Sequence, residues 1–486
     1  MARVDNLYYG IYSIGFGRRS IIKRRRPLGL PAPSSSAFSR PSSMKSKSAG
    51  WLVALTVLSW TSVSAGTKHS PSSRHPSYAG TIMCGYQGWF RAEGDGSGRG
   101  WVHYGPRKLD PDHCSVDLWP DVSEYKITYP TGFTLSDGSP ARVFSSWDES
   151  TVDLHFNWMQ QYGIDGVFIQ RFFGVTRDAE NRGQSRVILR HALAASSKYG
   201  RAIAVMYDLS GLKAQGEDCS SVIQDWKELV DDLKITGRGT NQAYLYHRGK
   251  PLVAIWGLGF SDRPYNIRNI GIEKLIDFLK HDPEYGGCSV MLGVPTHFRE
   301  LSRDAVADPH LHELMASADI IMPWMVGRFS PLKAGDLDRY AERIARDIAW
   351  CSERSLDYVP CVYPGFSWHN LSHSRQRPTG NSDSNAIPRQ KGRFYWSLMS
   401  RAIQAKAEML YVAMFDEIDE GTAIFKCSNR LPVNAGPAEF VSYEGLPSDH
   451  YLWLTGQAGR LLRGEIQPDP DLYRQLERKT LKTAQQ

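Results

Sequence analysis

Asp416, Glu417, Asp419 and Glu420 place four carboxylates within five residues, directly after the apolar run Met409 to Phe415. Carboxylates crowded in this way raise one another's pKa, so one acid can stay protonated beside an ionised base. Cleavage of a glycosidic bond needs that equipment: one carboxylic acid protonates the leaving oxygen, and one carboxylate acts as base or nucleophile. Glu417 and Glu420 are the candidate catalytic pair, with Asp416 beside them as a candidate substrate ligand and Asp208 and Asp148 in reserve. An i, i+3 pair shares one side only in a helical turn, so the strand is expected to end near Phe415 and turn at Glu417 to Glu420. The plain alternative is a solvated acidic loop, the usual fate of a charge run.

Eight apolar, strand-like runs recur along the chain: Thr81 to Phe90, Gly166 to Phe172, Ala202 to Leu209, Pro251 to Leu258, Ser289 to Thr296, Asp319 to Val326, Asp357 to Pro364 and Met409 to Phe415. Amphipathic helical patterns lie between many of them, at Ser150 to Tyr162, Ser185 to Tyr199, Ile272 to Leu279, Leu337 to Cys351 and Phe394 to Ala407. Strands alternating with helices imply a parallel sheet, whose doubly covered strands read as near-continuous apolar runs. Eight repeats predict an α/β fold, a (β/α)8 TIM barrel with long loops on the carboxyl face, where such barrels place their sites. The long connections are Arg91 to Val143 and Asn370 to Gly392. GYQGWF, in the first run, lacks the G-x-G-x-x-G spacing of a dinucleotide site.

The barrel would gather Trp89, Gln170, Arg171, Tyr207, Asp208, Trp256, Thr296, His297, Trp324, Arg328, Tyr363, Trp368, His369 and the acidic cluster at one mouth. Aromatic faces with amide, hydroxyl and carboxylate groups suit a sugar, which stacks its C–H faces and hydrogen-bonds its hydroxyls. The candidate substrate-binding set is therefore Trp89, Gln170, Tyr207, Asp208, Trp256, His297, Trp324, Tyr363, Trp368 and Asp416. A tryptophan at a strand end can equally just seal the barrel.

Residues 1–47 carry ten Lys or Arg against Asp5 alone. By itself IKRRRP would read as a nucleic-acid patch. From Met44, however, two lysines, an apolar stretch Ala49 to Trp60 and the small-residue run ending Val63-Ser64-Ala65 have the order of a secretory signal peptide. Its apolar stretch is too short to span a bilayer, which argues against a retained membrane anchor. The whole chain is +7; removing the +9 of residues 1–47 and the uncharged residues 48–65 leaves a mature chain of −2, with no basis for a nucleic-acid surface. The expected organisation is a leader and signal over 1–65 (signal proper 44–65), a catalytic domain over 66–429, and an extension over 430–486 packed on the barrel. Residues Asp471 to Lys482 read as a charged helix, and the protein is expected to be secreted or periplasmic. Seven widely spaced cysteines form no CxxC pair, and their odd number leaves at least one thiol unpaired within the chain. No zinc-ligand spacing appears; neither a metal nor another cofactor is expected, and the expected partner is a carbohydrate substrate.

FDEIDEGTAIF resembles the strand-eight motif N-E-W-x-E-G-T of glycoside hydrolase family 99, the endo-α-mannosidase and endo-α-mannanase family. MCGYQGWF and YLYHRGKPLVAIWG are similar to first- and fourth-strand segments of exported bacterial proteins of the broader family 71/99-like group, and the likeness covers residues 79–426. The resemblance implies a metal-free retaining mechanism. Glu417 falls on the glutamate that deprotonates the sugar 2-hydroxyl to give an anhydro-sugar intermediate, and Glu420 on the general acid/base. The chain departs from the pattern with Asp416 in place of Asn and Ile418-Asp419 in place of the aromatic pair. Two other readings remain open from sequence: a catalytically silent carbohydrate-binding barrel, and a metal-dependent hydrolase using His297, His369 and Asp208.

Overall fold

The computed structural model describes residues 67–237, 242–375, 383–467 and Tyr473. The leader and signal of the sequence reading lie outside these residues, as does most of the expected helix Asp471 to Lys482.

The apolar runs form parallel strands at Ile82–Tyr86, Gly166–Phe172, Ala202–Asp208, Lys250–Trp256, Ser289–Pro295, Ile320–Trp324, Asp357–Tyr358 with Cys361–Val362, and Leu410–Val412. Their sequence order is their spatial order, and the last lies beside the first through Ile82 opposite Leu410 and Cys84 opposite Val412. The seventh strand closes the ring. Sequence predicted one run there, Asp357 to Pro364, but Pro360 has no N–H to give to a ladder. The strand is therefore split: Asp357 and Tyr358 pair with Ile320 and Ile321 of the sixth strand, whereas Cys361 and Val362 pair with Tyr411 and Val412 of the eighth. The result is a (β/α)8 barrel.

Helices cover the outside, among them Glu149–Tyr162, Ala179–Tyr199, Ile272–His281, Asp336–Ser352 and Arg393–Gln404. The second begins earlier than its periodicity indicated because Asp178 caps it, accepting from Asn181 N at 2.9 Å, and it stops at Gly200 with φ +61°. Ser220–Asp232 and His310–Ala316 are helices that the sequence reading did not identify. The apolar stripe of the former is interrupted by Asp225, which is buried and pairs with Arg171 of the second strand. The latter, at seven residues, is too short to show a period.

Beyond residue 430, helix His450–Leu462 lies against the first and last barrel helices. Tyr162 hydroxyl donates to Asp449 at 2.6 Å and Tyr395 bonds Thr455 at 3.0 Å. The seven cysteines are all buried and unbridged. Among the described residues no helix is long and apolar enough to cross a membrane.

Candidate active site

Past Val412 the chain leaves the barrel ladder and closes on itself. Phe415 N donates to Gly85 O at 2.8 Å, and Ile424 N and Phe425 N return to Phe415 O at 3.1 and 3.0 Å. Within this loop Thr422 N and Ala423 N both donate to Glu417 O, at 3.1 and 3.0 Å, which makes the tight turn that the spacing of Glu417 and Glu420 requires. Three distant segments fasten it. Asp117 N and Leu118 N bond Ile418 O at 3.0 and 3.1 Å, Ser367 N bonds Glu420 O at 3.0 Å, and Arg389 Nη2 donates to Gly421 O and Ala423 O, both at 2.8 Å. Gly421 has φ +62°, and a Cβ there would lie 2.9 Å from the Ser367 backbone. Only glycine meets both conditions.

The acidic cluster is not a solvated loop: Asp416, Glu417, Asp419 and Glu420 are 0, 1, 1 and 5% exposed. Asp416, expected from sequence to hold substrate, accepts from Gln87 N and Gly88 N, both at 2.8 Å, so its two oxygens staple the last strand to the first. Glu417 accepts from the Gln87 side chain on Oε1 and from the Thr422 hydroxyl on Oε2, each at 2.7 Å. Asp419 Oδ2 lies 3.1 Å from His103 Nδ1. Burial is the first cause of every pKa shift in the cluster, ahead of charge repulsion. It raises Asp416 and Asp419 to about 7, Glu420, with help from Asp419, to about 8, and Glu417 well above its ordinary value, with Glu420 and Asp419 adding to the last. The cluster thus holds protons at neutrality that free carboxyls would have lost.

Around it, Trp89 stacks on His103, with centroids 3.7 Å apart and planes 6° from parallel, and also on Phe172 at 5.1 Å. Two rings of the protein therefore already occupy the Trp89 π-system. Further round the mouth Trp256 packs on Phe260 at 4.9 Å and edge-on to Trp324 at 5.2 Å, and lies over Gly293, where a Cβ would reach within 2.3 Å of its ring. Arg263 covers the same indole at 5.5 Å. Asp208 accepts from Ser210 N at 2.7 Å, is raised by burial to about 6, and pushes Glu420 upward in turn. Gln170 sits deeper, donating to the Tyr411 hydroxyl at 3.0 Å inside the barrel.

Other residues expected at the mouth face elsewhere. Tyr207 points outward, its hydroxyl on Asp225 of helix Ser220–Asp232 at 2.9 Å. The Tyr363 hydroxyl is engaged with the Phe329 backbone, and its ring meets Phe394 of the outer helix. Strand alternation explains both, since each is one residue out of phase with an inward neighbour. His297 bonds Asp304 at 2.7 Å, and Asp304 is also held by Arg328 at 3.0 Å, a polar knot beside the barrel. Trp368 is buried against Phe366 at the start of helix His369–Ser374. Asp148 takes the Tyr129 hydroxyl on both oxygens, at 3.1 and 3.0 Å. Among the described residues no three His, Cys, Asp or Glu side chains converge as metal ligands would.

Gln87, Thr422, His103, Asp117 and Arg389 are the residues that sequence reasoning passed over. Gln87 and Thr422 lie inside MCGYQGWF and FDEIDEGTAIF, where their motifs could have marked them. His103 lies 316 residues from Asp419, and no local pattern announces that contact.

The barrel has a counterpart among solved structures. The chain superposes on the glycoside hydrolase family 99 endo-α-mannosidase of Bacteroides thetaiotaomicron with TM-score 0.56 and 14% identity, covering 81% of this chain and 100% of that one. A second structure of this enzyme, in complex with bis-tris-propane, gives TM-score 0.55 and 15% identity over 80% of this chain and 99% of that one. The chain shares the barrel fold of this family 99 endo-α-mannosidase. A glycoprotein endo-α-1,2-mannosidase-like protein of Danio rerio is 28% identical over 107 residues, which is 22% of this chain and 22% of that relative. The match thus spans about a fifth of that relative's length. No protein-family model matches the sequence.

Proposed function

We propose that the chain is an exported glycoside hydrolase that cleaves a polysaccharide or glycan by carboxylate acid/base catalysis, with retention of configuration. The observation that carries this reading is the pair of buried glutamates on one turn, in two different environments. Glu420, raised to about 8, keeps its proton at neutral pH and can act as the acid. Burial raises Glu417 as well, but Gln87 and Thr422 each donate to one of its oxygens and favour the ionised form, the form in which it can act as a base toward one particular hydroxyl.

In the first step the Glu420 proton passes to the glycosidic oxygen as the bond from that oxygen to the anomeric carbon breaks. Glu417 takes the proton of the 2-hydroxyl while that oxygen attacks the anomeric carbon from the opposite face. In the second step water adds at the anomeric carbon and gives its proton to the Glu420 carboxylate. The 2-oxygen leaves and recovers its proton from Glu417. Two inversions give retention, and both residues return to their starting state.

Export rests on the signal-like order of Met44 to Ala65. Mature N-termini near Gly66 in material recovered outside the cytoplasm, read by mass spectrometry, would support it; an intact leader on the native protein would refute it. For activity, the purified mature chain is incubated with α-mannans, α-glucans, xylans and arabinans. Sugar released by the native chain and lost in Glu420→Gln is the expected result, and binding without release across the panel would overturn the enzymatic reading.

A further inference from the structure

His103 is built into an unfavourable backbone geometry, and what it reaches is the acid next to Glu420. Its φ is +63°, in the left-handed region that residues with a Cβ adopt uncommonly. The imidazole lies flat on Trp89 at 3.7 Å, and its Nδ1 stands 3.1 Å from Asp419 Oδ2. The His103 and Asp419 side chains are 6 and 1% exposed. The other oxygen, Asp419 Oδ1, is buried with no hydrogen-bond partner among the described residues. Burial disfavours the Asp419 charge while Arg375 and the backbone N–H groups of Asp419 and Glu420 favour it, so its ionisation responds to each neighbouring group.

Asp419 is the immediate chain neighbour of Glu420 on the turn. We propose that Asp419, held by His103, sets how tightly Glu420 retains its proton and is therefore a tuning residue of the acid, an inference that rests on the glycosidase reading above.

The groups facing this pair come from every side. Glu417 and Glu420 share the turn, Asp208 approaches from the third strand, and Arg375 from the connection after the seventh. Arg375 favours the ionised forms of Asp419 and Glu420, whereas Asp208 and Asp419 disfavour ionisation of Glu420. Burial, then Arg375 and Arg91, keep His103 neutral well below the usual imidazole range, so one ring nitrogen donates and the other cannot. With Nδ1 as donor, His103 sustains partial ionisation of Asp419. Asp419 then opposes ionisation of Glu420, which keeps the leaving-group proton in place at higher pH.

The test has two arms. In Asp419→Asn the local negative charge is gone while an oxygen remains for His103 Nδ1–H to reach. The alkaline limb of the pH profile of kcat/KM should move down by roughly one pH unit, the scale of a nearby like charge, with KM at the pH optimum retained. A limb that stays in place or moves up overturns the proposal. The second arm needs no substrate: side-chain nitrogen NMR of His103 in the full mature chain should show the neutral tautomer protonated at Nδ1 throughout about pH 5.5 to 8.5. Titration near the ordinary value of about 6.5, or protonation at Nε2 alone, overturns the pairing. Absence of activity in the native chain on the whole glycan panel would instead fail the glycosidase reading, with the NMR arm still deciding whether the pair exists.

Discussion

Gln87 Nε2 donates to Glu417 Oε1 at 2.7 Å, so the end of the first barrel strand aims a carboxylate carried by the last. The Gln87 main chain performs the companion task, with its N–H on Asp416 at 2.8 Å. One residue thus fixes both the turn and the orientation of the proposed base. Gln87→Leu removes the side-chain contact and keeps the main-chain one. A hydrogen bond to a charged group is worth about 1.5–3 kcal/mol, so kcat should fall about 10- to 100-fold with little change in KM. Steady-state kinetics on whichever glycan is cleaved checks this.

Gly421→Ala tests the turn itself. The backbone is left-handed at φ +62°, and the added methyl would meet Ser367 backbone atoms at 2.9 Å. Strain of about 1–3 kcal/mol is expected, with the turn displaced. Urea unfolding should show a lower midpoint with an unchanged slope, and activity should fall further than the stability loss accounts for.

The barrel was legible because its strands are buried on both faces and advertise themselves as apolar runs; Gly166–Phe172 appears in the structure with the bounds read from sequence. What escaped was phase. At a strand end one residue decides whether a side chain enters the mouth or the helix layer, and apolar runs without alternation carry no marker of which. Tyr207 was therefore assigned to the mouth, although its hydroxyl serves Asp225. The closing of the seventh strand by two partial pairings, and the approach of His103 to Asp419, depend on contacts between segments far apart in the chain, which no window of sequence contains.

Arg389→Leu probes the rear of the turn. The guanidinium is 2% exposed and lies 4.9 and 4.5 Å from the Tyr443 and Tyr451 rings, so its charge is compensated by π-faces and by the carbonyls of Gly421 and Ala423. Leucine fills part of the space but leaves two buried carbonyls without this donor. Ala423 O keeps the Tyr443 hydroxyl at 3.2 Å, whereas Gly421 O must shift to find a donor, so a loss of about 1–3 kcal/mol is expected, measured by urea unfolding.

Stability should fall as pH rises from about 6.5 to 8.5. Asp416 and Asp419, raised to about 7, and Glu420, raised to about 8, keep protons in the folded state that the unfolded chain has already released. Folding therefore takes up protons in this window and is favoured at its acid end. The buried histidines His69, His103 and His155 are depressed and act in the opposite sense, but only below about 6.5, where the unfolded chain begins to bind their protons. The carboxylates with depressed pKa, such as Asp304, titrate lower still. Thermal melts should show Tm decreasing across this window by roughly several degrees. Glu420→Gln, which cannot titrate, should flatten the slope.

The assignment of roles makes its strongest demand on leaving groups. If Glu420 supplies the proton, Glu420→Gln should lose roughly 10²–10⁴-fold on a natural glycan, where the departing alkoxide needs protonation. It should lose far less on an activated aryl glycoside, whose leaving group departs unaided. Glu417→Gln should impair both substrates, because attack at the anomeric carbon needs the base whatever leaves. The two mutants therefore separate along one axis, the leaving-group pKa, which a general loss of structure would not reproduce. Proton NMR taken early in the reaction reads the second consequence. Passage through an anhydro-sugar inverts the anomeric carbon twice, so the first-formed product should have the configuration of the substrate. Inverted product would mean that water attacks directly, with Glu417 as its base, and would remove the anhydro-sugar step while leaving Glu420 as the acid.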